Sequence, residues 1–317
     1  MNFILRRTVT AVITMFLVSI FCFLAFSVIK GDPASFAAGI ESPERLEMLR
    51  EEMGLDKNIF ERYAGWLKGL VTGKLGNSLR FKGEKVSSLI AGRLPVSAAL
   101  ALLSLFFILL ISVPLSLLTI GREGNCVDMA ANFLTAAGLS TPGFFLGLLF
   151  IWFFGLTFKL FVPGAYVGYG EDFFGFLGCL IFPSIAVAIP NAAIMIKFLR
   201  SSLFQELRSD YARTARSKGA GRLYILRRHV LKNALLPAVT ILGMITAEVF
   251  SGSIIIEQVF TIPGIGRLLI AAIGSRDYPL IQTLVVYVAF TVVCANTLAD
   301  IAIMIIDPRI KPAKDVT

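Results

Sequence analysis

The sequence predicts an all-α polytopic membrane protein with six transmembrane helices, and three observations predict it. Mean hydropathy is +0.79, with 56% apolar and only 16% charged residues among 317, outside the ordinary range for a soluble domain. The apolar residues gather into runs of about 20, the length at which a helix rising about 1.5 Å per residue crosses about 30 Å of hydrocarbon. The basic residues collect unevenly between those runs, as they do where positive charge orients a chain in a membrane.

The first run, about 8–29, follows Arg6 and Arg7. It exceeds the roughly 7–15 residues of a signal peptide's apolar core, so an uncleaved first helix is expected. A polar insertion, about 30–94, carries helix-like patterns at Glu44–Met53 and Arg62–Leu70, with Tyr63 and Trp66 suited to a lipid interface. Further runs lie at about 95–120, 130–156, 176–198, 234–256 and 280–306. The second follows Arg93-Leu94-Pro95, and a proline in the first turn, where its missing N–H costs nothing, marks a helix start there. An even number of crossings puts both termini on one side.

Counting Lys and Arg over the ends and short loops gives 16 on the side of the termini and three on the other (Lys159, Arg267 and Arg276). Both termini and the loop at about 200–233 are therefore expected in the cytoplasm, and the 30–94 insertion outside it. No repeat of fixed period or low-complexity stretch interrupts residues 1–317, which read as one transmembrane domain.

Composition also excludes functions. A net charge of +9 with 27 Phe could suggest nucleic-acid binding, but the Phe residues sit inside apolar runs and the basic residues follow topology, so no nucleic-acid partner is expected. Cys22, Cys179 and Cys294 fall in apolar runs and Cys126 in a short connection, without metal-ligand spacing. His229 is the single histidine, which leaves no second imidazole for a metal centre or a triad. No catalytic residue and no bound metal is expected.

The most informative segment is Ser209–Pro237, a long basic loop between the fourth and fifth runs. On a helix Tyr211, Ala215 and Gly219 fall at i, i+4 and i+8, a face whose small residues would let another surface approach closely. A purely topogenic positive loop is the alternative.

Asp210-Tyr211-Ala212-Arg213-Thr214-Ala215-Arg216-Ser217-Lys218-Gly219, followed by Asn233-Ala234-Leu235-Leu236-Pro237, resembles the cytoplasmic coupling loop of ABC importer permeases, most closely the B-type subunit of the dipeptide, oligopeptide and nickel branch. Of the general family motif only Ala215 and Gly219 match; the branch-specific form carries the resemblance. Similar to the same branch are Leu55-Asp56-Lys57 with Trp66-Leu67, Gly73-Lys74-Leu75-Gly76-Asn77-Ser78, Arg93-Leu94-Pro95, Pro183-Ser184, Lys197-Phe198-Leu199-Arg200-Ser201-Ser202, Glu257-Gln258-Val259-Phe260 with Pro263-Gly264-Ile265-Gly266-Arg267, Arg276-Asp277-Tyr278-Pro279 and Asp307-Pro308-Arg309. They run in the expected order over nearly the whole chain. Departures are Ser97 where Thr is common, Lys197 where Arg is usual, and Val162-Pro163-Gly164-Ala165-Tyr166.

The resemblance implies an inner-membrane permease of a prokaryote that imports di- or oligopeptides, or a nickel complex or other small solute. It implies a second homologous permease, two ABC ATPase subunits that bind ATP and magnesium, and an extracytoplasmic solute-binding protein. Tyr211, Ala212, Thr214, Ala215 and Gly219 would form a coupling helix seated in an ATPase subunit. Consistently, the chain has no G-x-x-x-x-G-K-[ST] phosphate loop; Gly69 to Leu75 has the wrong spacing.

Ionisable and amide side chains inside spans complete the candidates. Glu248, near the middle of the fifth run, costs about 2.5–3.5 kcal/mol on insertion scales unless it meets a cavity or a partner helix. It either lines the translocation path or makes an interhelical hydrogen bond. Asn191, Asn296 and Glu257 are further path candidates, and Asp300, four residues after Asn296, is expected to reach water or Arg309. The resemblance makes Pro263, Gly264 and Gly266 an outer scoop-like loop at the pathway mouth; a plain turn is the other reading. An ion-coupled secondary transporter would need its own coupling-ion site at a broken helix, for which Glu248 with Asn191 or Asn296 is thin support. A membrane enzyme would need a paired constellation that the spans lack.

Overall fold

The computed structural model describes residues 3–28, 47, 57–81, 83–120, 122 and 124–306. The expected helix at Glu44–Met53 and the basic residues Arg309, Lys311 and Lys314 lie outside the described residues, apart from Glu47. The elements of the described residues are all helices, joined by loops, with a single isolated β-bridge between Asn77 and Lys85.

Helix α1 (Phe3–Val28) covers the first apolar run. Helix α2 (Ile59–Thr72) begins at Asn58, whose side chain accepts from the Glu61 amide at 2.9 Å, and stops at Gly73 with φ 73°. It lies against α1 through Tyr63, whose hydroxyl is 2.9 Å from Ser19 Oγ, and through rings 5.4 Å (Tyr63) and 5.6 Å (Trp66) from Phe23. The two aromatics expected at a lipid interface are thus half-buried, with rings packed against α1.

Helix α3 (Val86–Thr119) starts nine residues before Pro95, which sits inside the helix with Pro114 rather than in its first turn. Neighbouring helices let a membrane helix tolerate such a proline. The run at 130–156 is not one straight span. It divides into α4 (Cys126–Ser140) and α5 (Gly143–Phe150, continued by a wide π-helical stretch Ile151–Thr157), bent by 100° at Thr141-Pro142. The residue before a proline is driven out of the helical region, and Thr141 is extended at φ −107°, ψ 117°.

Helix α6 (Phe173–Leu207) has 35 residues and, at about 1.5 Å each, is far longer than the 30 Å hydrocarbon layer, and its last turns, which carry Lys197, Arg200, Gln205 and Glu206, are polar enough to extend beyond it. They deliver α7 (Asp210–Ser217). A short α8 (Arg222–Ile225) leads through a π-helical turn into α9 (Leu231–Val259), followed by α10 (Ile265–Gly274) and α11 (Tyr278–Ile306). Among the described residues five helices are long and apolar enough to cross a membrane, and six crossings result when the bent pair counts as one.

Two cores hold the bundle. The larger joins α3, α6 and α9 through Leu100, Ile108, Leu180, Met195, Leu199 and Ile245. The smaller sits at one end and joins the first turns of α3, α10 and the start of α11 through Val86, Leu89, Leu268, Ala272, Leu280 and Leu284. At the opposite end Arg7 of α1 pairs with Asp300 of α11 at 3.0 Å, which puts the starts and ends of the described bundle on one side. Asp300, expected to reach water or Arg309, has Arg7 as a described partner; Arg309 lies outside the described residues.

Candidate functional site

Three places gather the functional candidates: the projecting helix α7, one face of α9, and the α9–α10 corner. Helix α7 has Asp210 in its first turn and Arg216 in its last, which suits its dipole. Ala212 is fully buried and Ala215 packs against the main core, so these small residues face inward and Tyr211, Thr214, Ser217 and Lys218 face out. Tyr211 is anchored on both sides: its hydroxyl donates to Glu206 of α6 and accepts from Asn233 Nδ2 of α9 at 3.1 Å. Burial, with the Glu206 carboxylate beside it, raises the Tyr211 phenol above its ordinary value near 10.

Gly219 does not share the face of Ala215. It closes α7 in the left-handed conformation, φ 80°, with its amide on Arg216 O at 3.0 Å and the Ala220 amide on Ala215 O at 3.1 Å. That is a Schellman ending, and its left-handed conformation by itself calls for glycine; within this chain a Cβ there would meet nothing within 4 Å. Gly219→Asn should accordingly keep the helix end and ATPase association. Gly219→Val should cost about 1–2 kcal/mol at this end, the penalty of an L side chain in left-handed geometry. Co-purification of the two variants with the ATPase subunits checks this; equal retention of Asn and Val variants would refute it.

Helix α9 presents an outward stripe of Thr240, Met244, Glu248, Ser251, Gly252, Ile255 and Gln258, in which polar and small residues alternate with two apolar ones. On α1 the outward residues are instead Val12, Ile13, Phe16, Leu17 and Phe21, the chemistry of a lipid-facing surface. Glu248 is exposed and, among the described residues, its carboxylate makes no hydrogen bond or ion pair. Asn296 is exposed on α11. It lies three residues from Ala299, which touches Gly243 so closely that a Cβ on the glycine would be 2.2 Å from the alanine's, so Asn296 and Glu248 lie within about one or two helical turns in depth. Asn191 is not part of this surface: it is buried in α6, donates to Val187 O at 2.9 Å, and its Oδ1 is unpartnered.

Glu257 is fully buried in the last turn of α9. Its Oε1 accepts from Ser97 Oγ of α3 at 2.5 Å, and its Oε2 from the amides of Gly266 at 2.7 Å and Arg267 at 3.1 Å. Ser97 Oγ in turn accepts from the Ile265 amide at 2.8 Å, and Ile262 O from the Gly264 amide at 2.9 Å. All four free N–H groups at the start of α10 are thereby satisfied. Pro263, Gly264 and Gly266 form the turn that makes this possible. A Cβ on Gly264 would lie 2.3 Å from the Glu257 carboxylate and one on Gly266 2.4 Å from Ile254 Cα, so space rather than backbone freedom requires glycine. Glu257 presents no polar atom to an aqueous route.

Sequence reasoning missed Asp128, which pairs with Arg200, and the roles of Ser97, Ser78 and Asp277. Asp277, one residue before the helical run at Tyr278, carried a helix-start signal; the others carried none that a single sequence displays.

The chain matches two family models: "Binding-protein-dependent transport system inner membrane component" over residues 112–312, and "Binding-prot-dependent transport system membrane comp, N-term" over 1–101. The chain belongs to this family. It is 35% identical over 310 residues to the "Probable peptide ABC transporter permease protein y4tP" of Sinorhizobium fredii, covering 98% of this chain and 99% of that protein. It is 34% identical over 313 residues to the "Oligopeptide transport system permease protein AppB" of Bacillus subtilis, covering 98% and 99%. The permease is thus a multi-pass inner-membrane transport component, not a catalytic subunit, and works with binding-protein and ATPase partners.

Proposed function

We propose that the permease carries peptides across the cytoplasmic membrane in an ATP-binding-cassette importer, with the α9 stripe forming its share of the path. The single observation that carries the path is Glu248, exposed and unpartnered near the middle of an apolar span. Against lipid it would cost about 2.5–3.5 kcal/mol, so the stripe must face water or another polar surface. A second, similar permease across that stripe would enclose an aqueous route between the two subunits. The names of the relatives support peptides as cargo.

Both termini and α7 then lie in the cytoplasm, as the asymmetry of basic residues requires, and α10 lies outside. ATP and magnesium bind the two ATPase subunits. Their closure pushes on Tyr211, Thr214 and Ser217, the outward ridge of α7, while buried Ala212 and half-buried Ala215 join α7 to the bundle. Gly219 ends the helix.

Uptake by the reconstituted complex tests the reading. Glu248→Gln keeps shape and removes charge; it should lower peptide uptake by about tenfold at normal membrane levels, since about 1.4 kcal/mol at a rate-determining site is a factor of ten. Unchanged uptake would remove Glu248 from the path, and uptake driven by a proton gradient without ATP would replace the importer by a secondary transporter.

A further inference from the structure

We propose that the hairpin of residues 73–81 and 83–85, clasped by Asp277, is the point at which the solute-binding protein's contact is passed into the helix bundle; this rests on the importer reading above. The hairpin is a stiff element: the Asn77–Lys85 bridge, the Ser78 amide on Glu84 O at 2.9 Å and the Val86 amide on Gly76 O at 3.0 Å run it directly into α3. Lys74, Arg80 and Lys85 are exposed on it against Glu84, which suits a partner surface bearing carboxylates.

Asp277 is 199 residues further along the chain from Ser78 and fully buried beneath the hairpin. Its Oδ2 accepts from Ser78 Oγ at 2.5 Å and from the amides of Leu79 at 3.0 Å and Arg80 at 3.2 Å. Its Oδ1 accepts from the Leu280 amide at 3.3 Å in the first turn of α11. Arg80 also donates to Ala271 O of α10 at 2.9 Å. One carboxylate thus joins the hairpin to α11, and Arg80 joins it to α10.

Beneath this clasp lies the smaller core, against which Leu75 and Phe81 of the hairpin pack. The other end of α10 is fixed by Glu257 and Ser97. Hairpin, α10 and the outer turns of α3 and α11 therefore form one block. Displacement of the hairpin from outside moves α10 and with it the outer end of α9, which carries the path stripe. Asp277 acts here as a positioning residue and touches no cargo.

Asp277→Asn would turn a donor toward groups that all donate. In the complete complex in lipid nanodiscs, the Leu79 and Arg80 amides should exchange hydrogen roughly tenfold faster or more, as loss of charge-assisted hydrogen bonds implies. Basal ATPase activity should persist while stimulation by the binding protein is lost. Ser78→Ala, which removes one donor to Asp277 and the acceptor of the Phe81 amide at 3.0 Å but keeps the carboxylate, should lose part of the stimulation and covers a failure of Asp277→Asn to assemble. Unchanged amide exchange, or a freed hairpin with full stimulation, overturns the relay. Absence of stimulation in the wild-type complex would instead overturn the importer reading.

Discussion

A single methyl group at position 266 is expected to prevent accumulation of folded permease. The added Cβ of Gly266→Ala would lie 2.4 Å from Ile254 Cα and 2.9 Å from its Cβ, and backbone inside α9 cannot yield as a side-chain tip can. Helix α10 must move instead. Overpacking alone costs about 1–3 kcal/mol. Movement of α10 also withdraws the Gly266 and Arg267 amides from Glu257 and leaves Ser97 as its remaining partner, and each hydrogen bond to a charged group is worth about 1.5–3 kcal/mol. The sum reaches a large part of the 5–15 kcal/mol that folded domains typically possess. Gly274→Ala, in the same helix, is the control, because a Cβ there meets nothing within 4 Å. Detergent-extracted yield and the thermal unfolding midpoint decide: Gly274→Ala should match wild type, and a wild-type midpoint for Gly266→Ala would refute the steric account.

The contrast between these two glycines shows what a sequence can display. Apolar runs, the helix ending at Gly73 and the projecting α7 follow from local composition and spacing, because each depends on residues within a few positions. Gly266, Gly264 and Glu257 look like an ordinary turn after an ordinary helix until folding brings Ser97 across 160 residues to the same carboxylate. The bend of α4 on α5 was signalled by Thr141-Pro142-Gly143, but an average over an apolar window passes straight through it. Gly219 was read from spacing and small size as part of a docking face; the structure adds a second reason for glycine there, a positive φ that sequence spacing does not express. The stripe on α9 was half visible: Glu248 stood out as a charge, whereas Thr240, Ser251 and Gln258 became a surface only once the helix had neighbours on its other faces.

The pairing of Asp128 with Arg200 should show the other large effect. Both side chains are 12% exposed, and they link α4, before the bend, to α6 just before it projects toward α7. The guanidinium also donates to Asn132 Oδ1 at 2.7 Å, and the second carboxylate oxygen of Asp128 accepts from the Gly124 amide at 3.2 Å. Removal of one partner from a buried ion pair leaves an uncompensated charge and costs about 3–5 kcal/mol, whereas replacement of both by apolar groups is often neutral. Arg200→Met should therefore lower the unfolding midpoint sharply, and Asp128→Leu similarly. The double variant should recover most of the loss, because its coupling energy opposes the two single effects. If instead the double variant falls by the sum of the two, the residues act independently and the pair does not hold α4 to α6. ATP-driven uptake by the recovered double variant then separates support from transmission: full transport means that the pair only holds α4 in place, while loss at wild-type stability means that motion of α7 reaches the bent helices through this contact.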